Sequence, residues 1–304
     1  MINYPEIDPV LVSIGPLKVH WYGMMYLFGF SAAWGLGVWR AVQRDGWDKD
    51  QVGDLVLYSA LGAVLGGRVG YIFFYKLDDY IARPLDIFRV WEGGMSFHGG
   101  LLGVLVAIWI FARKTDRGFF QVSDFVAPLV PIGLFFGRIG NFINQELWGR
   151  LTDLSWGMVF PLAGSEPRHP SQLYEAFLEG IVLFAILWIY SASPRPVARV
   201  SGLFLVLYGV FRFIVEFTRE PDDYLGFVVM NWMTLGQRLS IPMIVAGLLI
   251  MFLSGSQRFD NQSKASNKGN EFKGTLDRAV VTSDGKMCAA IATNCRAYDE
   301  NRQP

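Results

Sequence analysis

Apolar residues along this chain gather into seven runs, near 21–39, 53–75, 95–112, 121–145, 171–192, 200–218 and 236–254. Each approaches the ~20 residues a helix needs to cross about 30 Å of hydrocarbon. Trp21 and Tyr22 open the first run and Trp39 closes it, where interfacial aromatics sit. In the second, Gly62, Gly66 and Gly70 recur every fourth residue beside Ala63 and Gly67, a spacing that lets helices approach closely. Arg68 rides in the middle of that run, either as a cation bonded to neighbouring carbonyls or to Asp54, or as part of a site. The segment Lys76 to Gly94 mixes aromatics with charge and is expected to lie along a membrane surface. After it, His98 stands at the lip of the third run, with Gly99 and Gly103 four residues apart.

Two of the runs carry polar groups where they are costly. Gly137-Arg138-Ile139-Gly140-Asn141-Phe142-Ile143-Asn144-Gln145-Glu146-Leu147-Trp148-Gly149-Arg150 follows the apolar stretch Phe125 to Phe136 directly. If the helix continues at about 100° per residue, Arg138, Asn141 and Gln145 lie within roughly 60° of one another, and Glu146 about 80° away on the other side. A guanidinium inside a bilayer costs from about 2.5 to more than 10 kcal/mol, so it needs a partner, a wet cavity or a ligand. An internal Arg138–Glu146 ion pair is the plain structural alternative, but it leaves Asn141, Asn144 and Gln145 as added polar cost. The sixth run repeats the pattern, with Tyr208, Arg212, Glu216 and Arg219 on one helix face. Arg212 and Glu216 can pair within the helix, yet two arginines outnumber one glutamate on that stripe, and the excess favours an anion. Arg168-His169-Pro170-Ser171-Gln172-Leu173-Tyr174-Glu175 marks a helix start, where His169 and Glu175 are either site residues or ordinary interfacial ones.

Composition agrees with the patterning. With 52% hydrophobic residues, 24 Phe, 12 Tyr and 10 Trp, the 304-residue chain is too apolar and aromatic for an ordinary soluble domain. The expected fold is all-α, a polytopic membrane bundle of about seven transmembrane helices over 1–254. Residues 255–304 turn polar, with eight Lys/Arg against six Asp/Glu, and are expected to form a disordered cytoplasmic tail. Balanced charge, 27 Lys+Arg against 27 Asp+Glu, argues against nucleic acid. The two cysteines, Cys288 and Cys295, both fall in the tail, which removes a disulfide framework and an embedded thiol nucleophile. Met1 to Lys18 lacks a basic n-region and a small-residue cleavage site and does not read as a signal peptide.

Orientation follows from the short loops. Arg40, Arg44 and Lys49, then Arg113, Lys114 and Arg117, then Arg195 and Arg199 fall on one side, which reads as cytoplasmic. The N-terminus is then outside and the C-terminus inside, and the polar ends around His98, Glu146 and Arg219 share the extracytoplasmic leaflet.

Two arginines on separate helices suit a phosphate, because forked guanidinium donors satisfy several of its oxygens. The expected ligand is a phospholipid head group. No Walker spacing, magnesium-binding acidic cluster or Gly-x-Ser-x-Gly elbow is present, so neither metal nor cofactor is expected. A phospholipid or anion transporter uses the same arginines without breaking a bond, but the inverted-repeat hydropathy common in transporters is missing.

The motif from Gly137 to Gly149 resembles, position for position, the signature of the bacterial prolipoprotein diacylglyceryl transferases. The resemblance extends to His98-Gly99-Gly100-Leu101, to Arg168 through Glu175, and to Phe211-Arg212 through Glu216-Phe217, covering roughly residues 1–254. It implies a bacterial inner-membrane enzyme that transfers diacylglyceryl from phosphatidylglycerol to the lipobox cysteine thiol of a prolipoprotein signal peptide. A thioether forms and glycerol 1-phosphate leaves. It also implies roles for residues: Arg138 and Arg212 on the phosphate, and His98 in proton transfer or head-group positioning. Tyr22, Asn141, Glu146, Tyr208 and Glu216 supply orienting hydrogen bonds, and Gly149 belongs to the substrate-binding set. Arg68, His169 and Arg219 receive no role.

Truncation after Ser254 is expected to leave turnover within a few-fold, because the removed segment lacks the apolar content to pack on a bundle. Cys288→Ser with Cys295→Ser is expected to be silent in the same transfer assay, since the attacking thiol belongs to the substrate.

Overall fold

The computed structural model describes residues 2–15, 17–43, 46–89, 93–220 and 233–254; the tail and both cysteines lie outside these. The long elements are α1 (Trp21–Val42), α2 (Lys49–Tyr75), α4 (Phe97–Lys114), α5 (Phe119–Val126), α6 (Val130–Ile143), α9 (Arg199–Val215) and α10 (Leu235–Ser254). Between α2 and α4 stand the short α3 (Leu77–Ala82) and a 3-10 turn at Pro84–Phe88. A single rod, Ser171–Tyr190, is built from α7 (Ser171–Glu175), a π-helical stretch at Ala176–Val182, and α8 (Leu183–Tyr190).

Among the described residues, four helices are long and apolar enough to cross a membrane: α2, α4, the Ser171–Tyr190 rod and α10. The pair α5 and α6 makes a fifth if its 50° bend is one broken span. The straight helix expected over 121–145 is therefore broken. Its cause is local: Pro128 and Pro131 lack the N–H groups that would continue the ladder, although Ala127 itself keeps helical angles. α9 is 17 residues long, one short of a span by length alone. α1 is long enough but dilute in aliphatic side chains, with only Leu27, Leu36, Val38 and Val42.

The glycine stripe on α2 meets its partner on α4. A Cβ added at Gly70 would stand 2.7 Å from the Gly99 Cα, and one at Gly66 would stand 2.8 Å from the Gly103 Cα. Backbones so close exchange dispersion contacts that no side chain could supply. Arg68, buried on the same helix, donates all five of its N–H groups' worth of bonds to main-chain carbonyls, those of Asp86, Ile87, Arg89, Gly93 and Gly94. Of the two readings offered by the sequence, the carbonyl partners are realised; Asp54 instead lies 3.5 Å from Lys114.

One apolar core lies where α1, α2, α4 and α5 meet, around Val52, Leu55, Phe111, Val122 and Phe125. The Trp47 ring stacks 3.9 Å from that of Phe125, and the Arg117 guanidinium lies over it, 4.0 Å from the ring centroid. Asp124 of α5 caps α9, accepting from the Ala198 and Ser201 amides at 2.7 and 2.8 Å. A small sheet, β1 (Ile2–Asn3), β4 (Met158–Val159) and β5 (Pro167–Arg168), and a hairpin, β2 (Val10–Ile14) with β3 (Leu17–His20), add strands that the all-helical expectation did not contain. They escaped it because most are two residues long, too short for alternation to register. The sheet is tied to the bundle by Tyr4, whose hydroxyl donates to the Ile143 carbonyl at 3.0 Å while its ring packs on Phe142 and Phe160.

Gly66→Ala is expected to force α2 and α4 apart and lower stability by about 1–3 kcal/mol, the cost typical of overpacking. Thermal unfolding in detergent, compared with Gly35→Ala, where an added Cβ meets nothing within 4 Å, measures it.

Candidate active site

Three elements deliver charge to one buried point. α6 contributes Arg138, the Ser171–Tyr190 rod contributes Glu175 and Glu179, and α9 contributes Tyr208 and Arg212, with Glu216 at its C-cap. The π stretch lies directly against α6 because Gly180 allows it: a Cβ there would stand 2.7 Å from that of Phe135, one turn before Arg138. π-helical turns are uncommon and concentrate at functional sites.

Glu175 is the hub. Its Oε2 lies 2.9 Å from Arg138 Nε, while its Oε1 accepts from Arg212 Nη1 and lies 3.3 Å from Arg219 Nη1. Glu179 lies 3.5 Å from Arg138 Nη2 and 3.8 Å from Arg212 Nη1. Glu216 pairs with Arg212 Nη2 at 2.9 Å and accepts from the Thr234 hydroxyl at 3.0 Å. The expected ladder on α9 thus holds as far as Glu216. Arg219 lies beyond the helix end, yet folds back to the same carboxylate.

These contacts dispose of one alternative and correct one expectation. Arg138 does not pair with Glu146 but with Glu175 and Glu179. The positive excess read from the α9 stripe is not an excess, because the rod supplies two further carboxylates. Glu179 went unremarked in the sequence, although two acids four residues apart inside a 20-residue apolar rod were its signal.

Beside the cluster, α6 ends at Ile143, and the helical angles projected to Gln145 and Glu146 do not apply. Gln145 and Leu147 take left-handed backbone, φ 54° and 58°, unusual for residues with side chains. What holds them there is a set of bonds to the main chain. Gln172 Nε2 donates to the Glu146 carbonyl at 2.6 Å and the Ser171 hydroxyl to that of Leu147 at 2.8 Å. The Glu146 carboxylate turns back to accept from Asn141 and Asn144, each at 3.2 Å. Tyr22 packs its ring on Gly140, where a Cβ would come within 2.9 Å, and its hydroxyl feels the charges of both Arg138 and Glu146. Gly149 sits at a backbone crossing: a Cβ there would stand 2.5 Å from the Thr218 carbonyl oxygen and 2.6 Å from His169. Arg150 Nε donates to the Arg219 carbonyl at 2.8 Å and Arg168 pairs with Glu220 at 3.0 Å, closing the crossing. His169, in the loop before the rod, is held below the usual histidine range, first by burial and then by the Arg150 charge. His98 stands apart from these contacts: it is exposed in the first turn of α4, its ring edge-on to Phe97.

Together the arrangement presents guanidinium edges backed by carboxylates. Side-chain exposure is 17% for Arg138, 15% for Arg212 and 11% for Arg219, against 0% for Glu175 and Glu179. An anion reaching this surface meets the cations first.

Comparison with known proteins supplies the family. Residues 9–253 match the sequence profile of the prolipoprotein diacylglyceryl transferases. Among curated relatives, the phosphatidylglycerol–prolipoprotein diacylglyceryl transferase of Pseudomonas paraeruginosa is 58% identical over 252 residues, covering 83% of this chain and 95% of the relative. That of Coxiella burnetii is 60% identical over 248 residues, 81% and 95% of the two chains. The Oleidesulfovibrio alaskensis protein of the same name is 60% identical over 252 residues, 83% and 94%. With identity this high across the whole membrane bundle, the chain belongs to the prolipoprotein diacylglyceryl transferase family.

Proposed function

We propose that this chain moves the diacylglyceryl group of phosphatidylglycerol onto the lipobox cysteine thiol of a prolipoprotein signal peptide, with Arg138 and Arg212 holding the phosphate. The observation that carries the reading is the layering of the site: fully buried carboxylates behind, partly exposed guanidiniums in front. Carboxylates so placed fix the arginines before the substrate arrives, so little reorganisation remains for the moment of reaction.

The reaction is a displacement at a glycerol carbon. The S–H bond breaks, an S–C bond forms, and the C–O bond to phosphate breaks, leaving glycerol 1-phosphate and a thioether. A free thiol has a pKa near ~8.5, so it must lose its proton, and the departing phosphate gains charge that the two arginines stabilise. His98, open to solvent and substrate at the mouth of α4, is assigned to proton transfer or to the head group. Tyr22, Asn141 and Glu146 orient substrate beside Arg138, Tyr208 faces the cluster from α9, and Glu216 orients Arg212. Gly149 keeps the loop close enough for the Arg138 edge to be reached. In this reading α1 and α9 also span, which with α2, α4, the bent α5–α6 pair, the rod and α10 gives seven helices. The N-terminus is outside, the C-terminus is cytoplasmic, and the site opens to the extracytoplasmic leaflet of the inner membrane.

A direct test uses purified protein, phosphatidylglycerol labelled in its diacylglycerol part, and a lipobox peptide. Label is expected on the peptide; label that only crosses vesicles would make the protein a lipid transporter. Arg138→Lys and Arg212→Lys keep charge but lose the planar fork, and are expected to insert normally while turnover falls by roughly two decades or more. Arg212→Gln with Glu216→Gln, a neutral pair, is expected to remain thermally stable and inactive. Near wild-type transfer by that pair would mean that Arg212 only holds helices together.

A further inference from the structure

Among the described residues, the cluster is matched in charge before any substrate binds. Its ion pairs set Arg138, Arg212 and Arg219 against Glu175, Glu179 and Glu216, three cations and three anions. A phosphodiester brought to Arg138 and Arg212 adds one negative charge to a site largely removed from water, where uncompensated charge is expensive. Something in the cluster must give.

The geometry separates the three carboxylates. Glu175 is gripped by three guanidiniums, and Glu216 by Arg212 and the Thr234 hydroxyl, with Gly236 pressed against it so closely that a Cβ would stand 2.6 Å from the carboxyl carbon. Glu179 differs. It is fully buried, its two contacts are the longest in the cluster at 3.5 and 3.8 Å, and neither of its oxygens receives a hydrogen bond among the described residues. Those two contacts run to Nη groups of the two arginines assigned to the phosphate. The titratable and charged groups that face it are Arg138 from α6, Tyr208 and Arg212 from α9, and Glu175 one turn earlier on its own rod.

We propose that Glu179 is the proton acceptor that lets the cluster admit an anion: when a phosphate takes over Arg138 and Arg212, the Glu179 carboxylate binds one proton from the medium and releases it when the anion leaves. The proposal rests on the assignment of those arginines to the phosphate. The balance is simple. Three cations face two carboxylates and one phosphodiester; the carboxyl O–H forms as the bond between that proton and a buffer acid in the medium breaks, and the buffer's conjugate base stays in solution. Glu179 acts through the arginines and is a positioning residue. Because the anion-bound state binds a proton more tightly than the free state, linkage makes anion binding tightest below the free-state titration of the carboxyl, and weaker as pH rises through the bound-state one.

The test uses the full chain in nanodiscs and glycerophosphoglycerol, the deacylated head group, whose single phosphodiester charge does not titrate near neutrality. Calorimetry in two buffers of different ionisation enthalpy counts protons. Wild type is expected to take up about one proton per ligand, with Kd rising by up to about tenfold per pH unit over the linked interval. Glu179→Gln, neutral at every pH, is expected to bind with no uptake and a flat pH profile, whereas Glu179→Asp keeps the uptake. Binding by wild type without uptake, or undiminished uptake in Glu179→Gln, overturns the inference and leaves the arginine assignment standing. If wild type fails to bind the probe, or Arg138→Lys binds it as well as wild type does, the arginine assignment fails and takes the inference with it. Should Glu179→Gln not fold, the two-buffer comparison on wild type still decides whether a proton enters with the anion.

Discussion

A carboxylate with no exposure, shared by three guanidiniums, is the constraint the rest of this structure satisfies. Glu175 alone compensates part of three positive charges drawn from α6, α9 and the turn beyond α9. Removing one partner from such an arrangement typically costs ~3–5 kcal/mol, because what remains is a buried charge without its counterion. Two chain segments far apart in sequence, α6 and the end of α9 with its following turn, are therefore held to the rod by a single side chain. Its position in turn depends on the π-helical stretch that follows it.

The surrounding elements serve that register. The bend between α5 and α6 lets the second half of the broken span run beside the rod, and Gly180 lets the two backbones close until Arg138 reaches Glu175. Below it, the start of the rod seizes the carbonyls of Glu146 and Leu147, which keeps the loop after α6 in its left-handed turns. Gly149 permits the loop to cross His169 and Thr218 at backbone distance, and Tyr4 pins the far end of α6 from the small sheet. Each contact is modest. Their common effect is to leave guanidinium edges partly exposed in front of Glu175 and Glu179, which are fully buried.

Much of this was legible in the chain. Arginines in apolar runs announce a site because their cost demands a partner, and the Gly62, Gly66 and Gly70 stripe announces a close helix neighbour. What periodicity could not supply was the identity of partners contributed by another helix. The sequence offers Arg138 only one nearby acid, Glu146, eight residues away, as a plain alternative to a ligand; the fold pairs it with Glu175 and Glu179, some forty residues on. The helix break was also marked, by Pro128 and Pro131, but apolar content across them made the run look continuous. The short strands have no such mark: two paired residues carry too little pattern to be read from side chains.

Arg68 shows a different logic. It grips the segment between α2 and α4 through carbonyl oxygens at five positions, and its guanidinium also lies over the Tyr80 ring, 5.2 Å from the centroid. Where such an anchor reads the main chain, it is indifferent to what the anchored residues are. The segment is thereby free to exchange its aromatics and charges to suit bilayers of different thickness or head-group composition. Tyr80, whose ring the guanidinium covers, and Gly93 and Gly94, at φ 83° and 80°, whose backbone is the part being held, are the exceptions. Variation concentrated around an unchanging arginine and glycine pair is the sequence pattern that such a grip would leave among relatives.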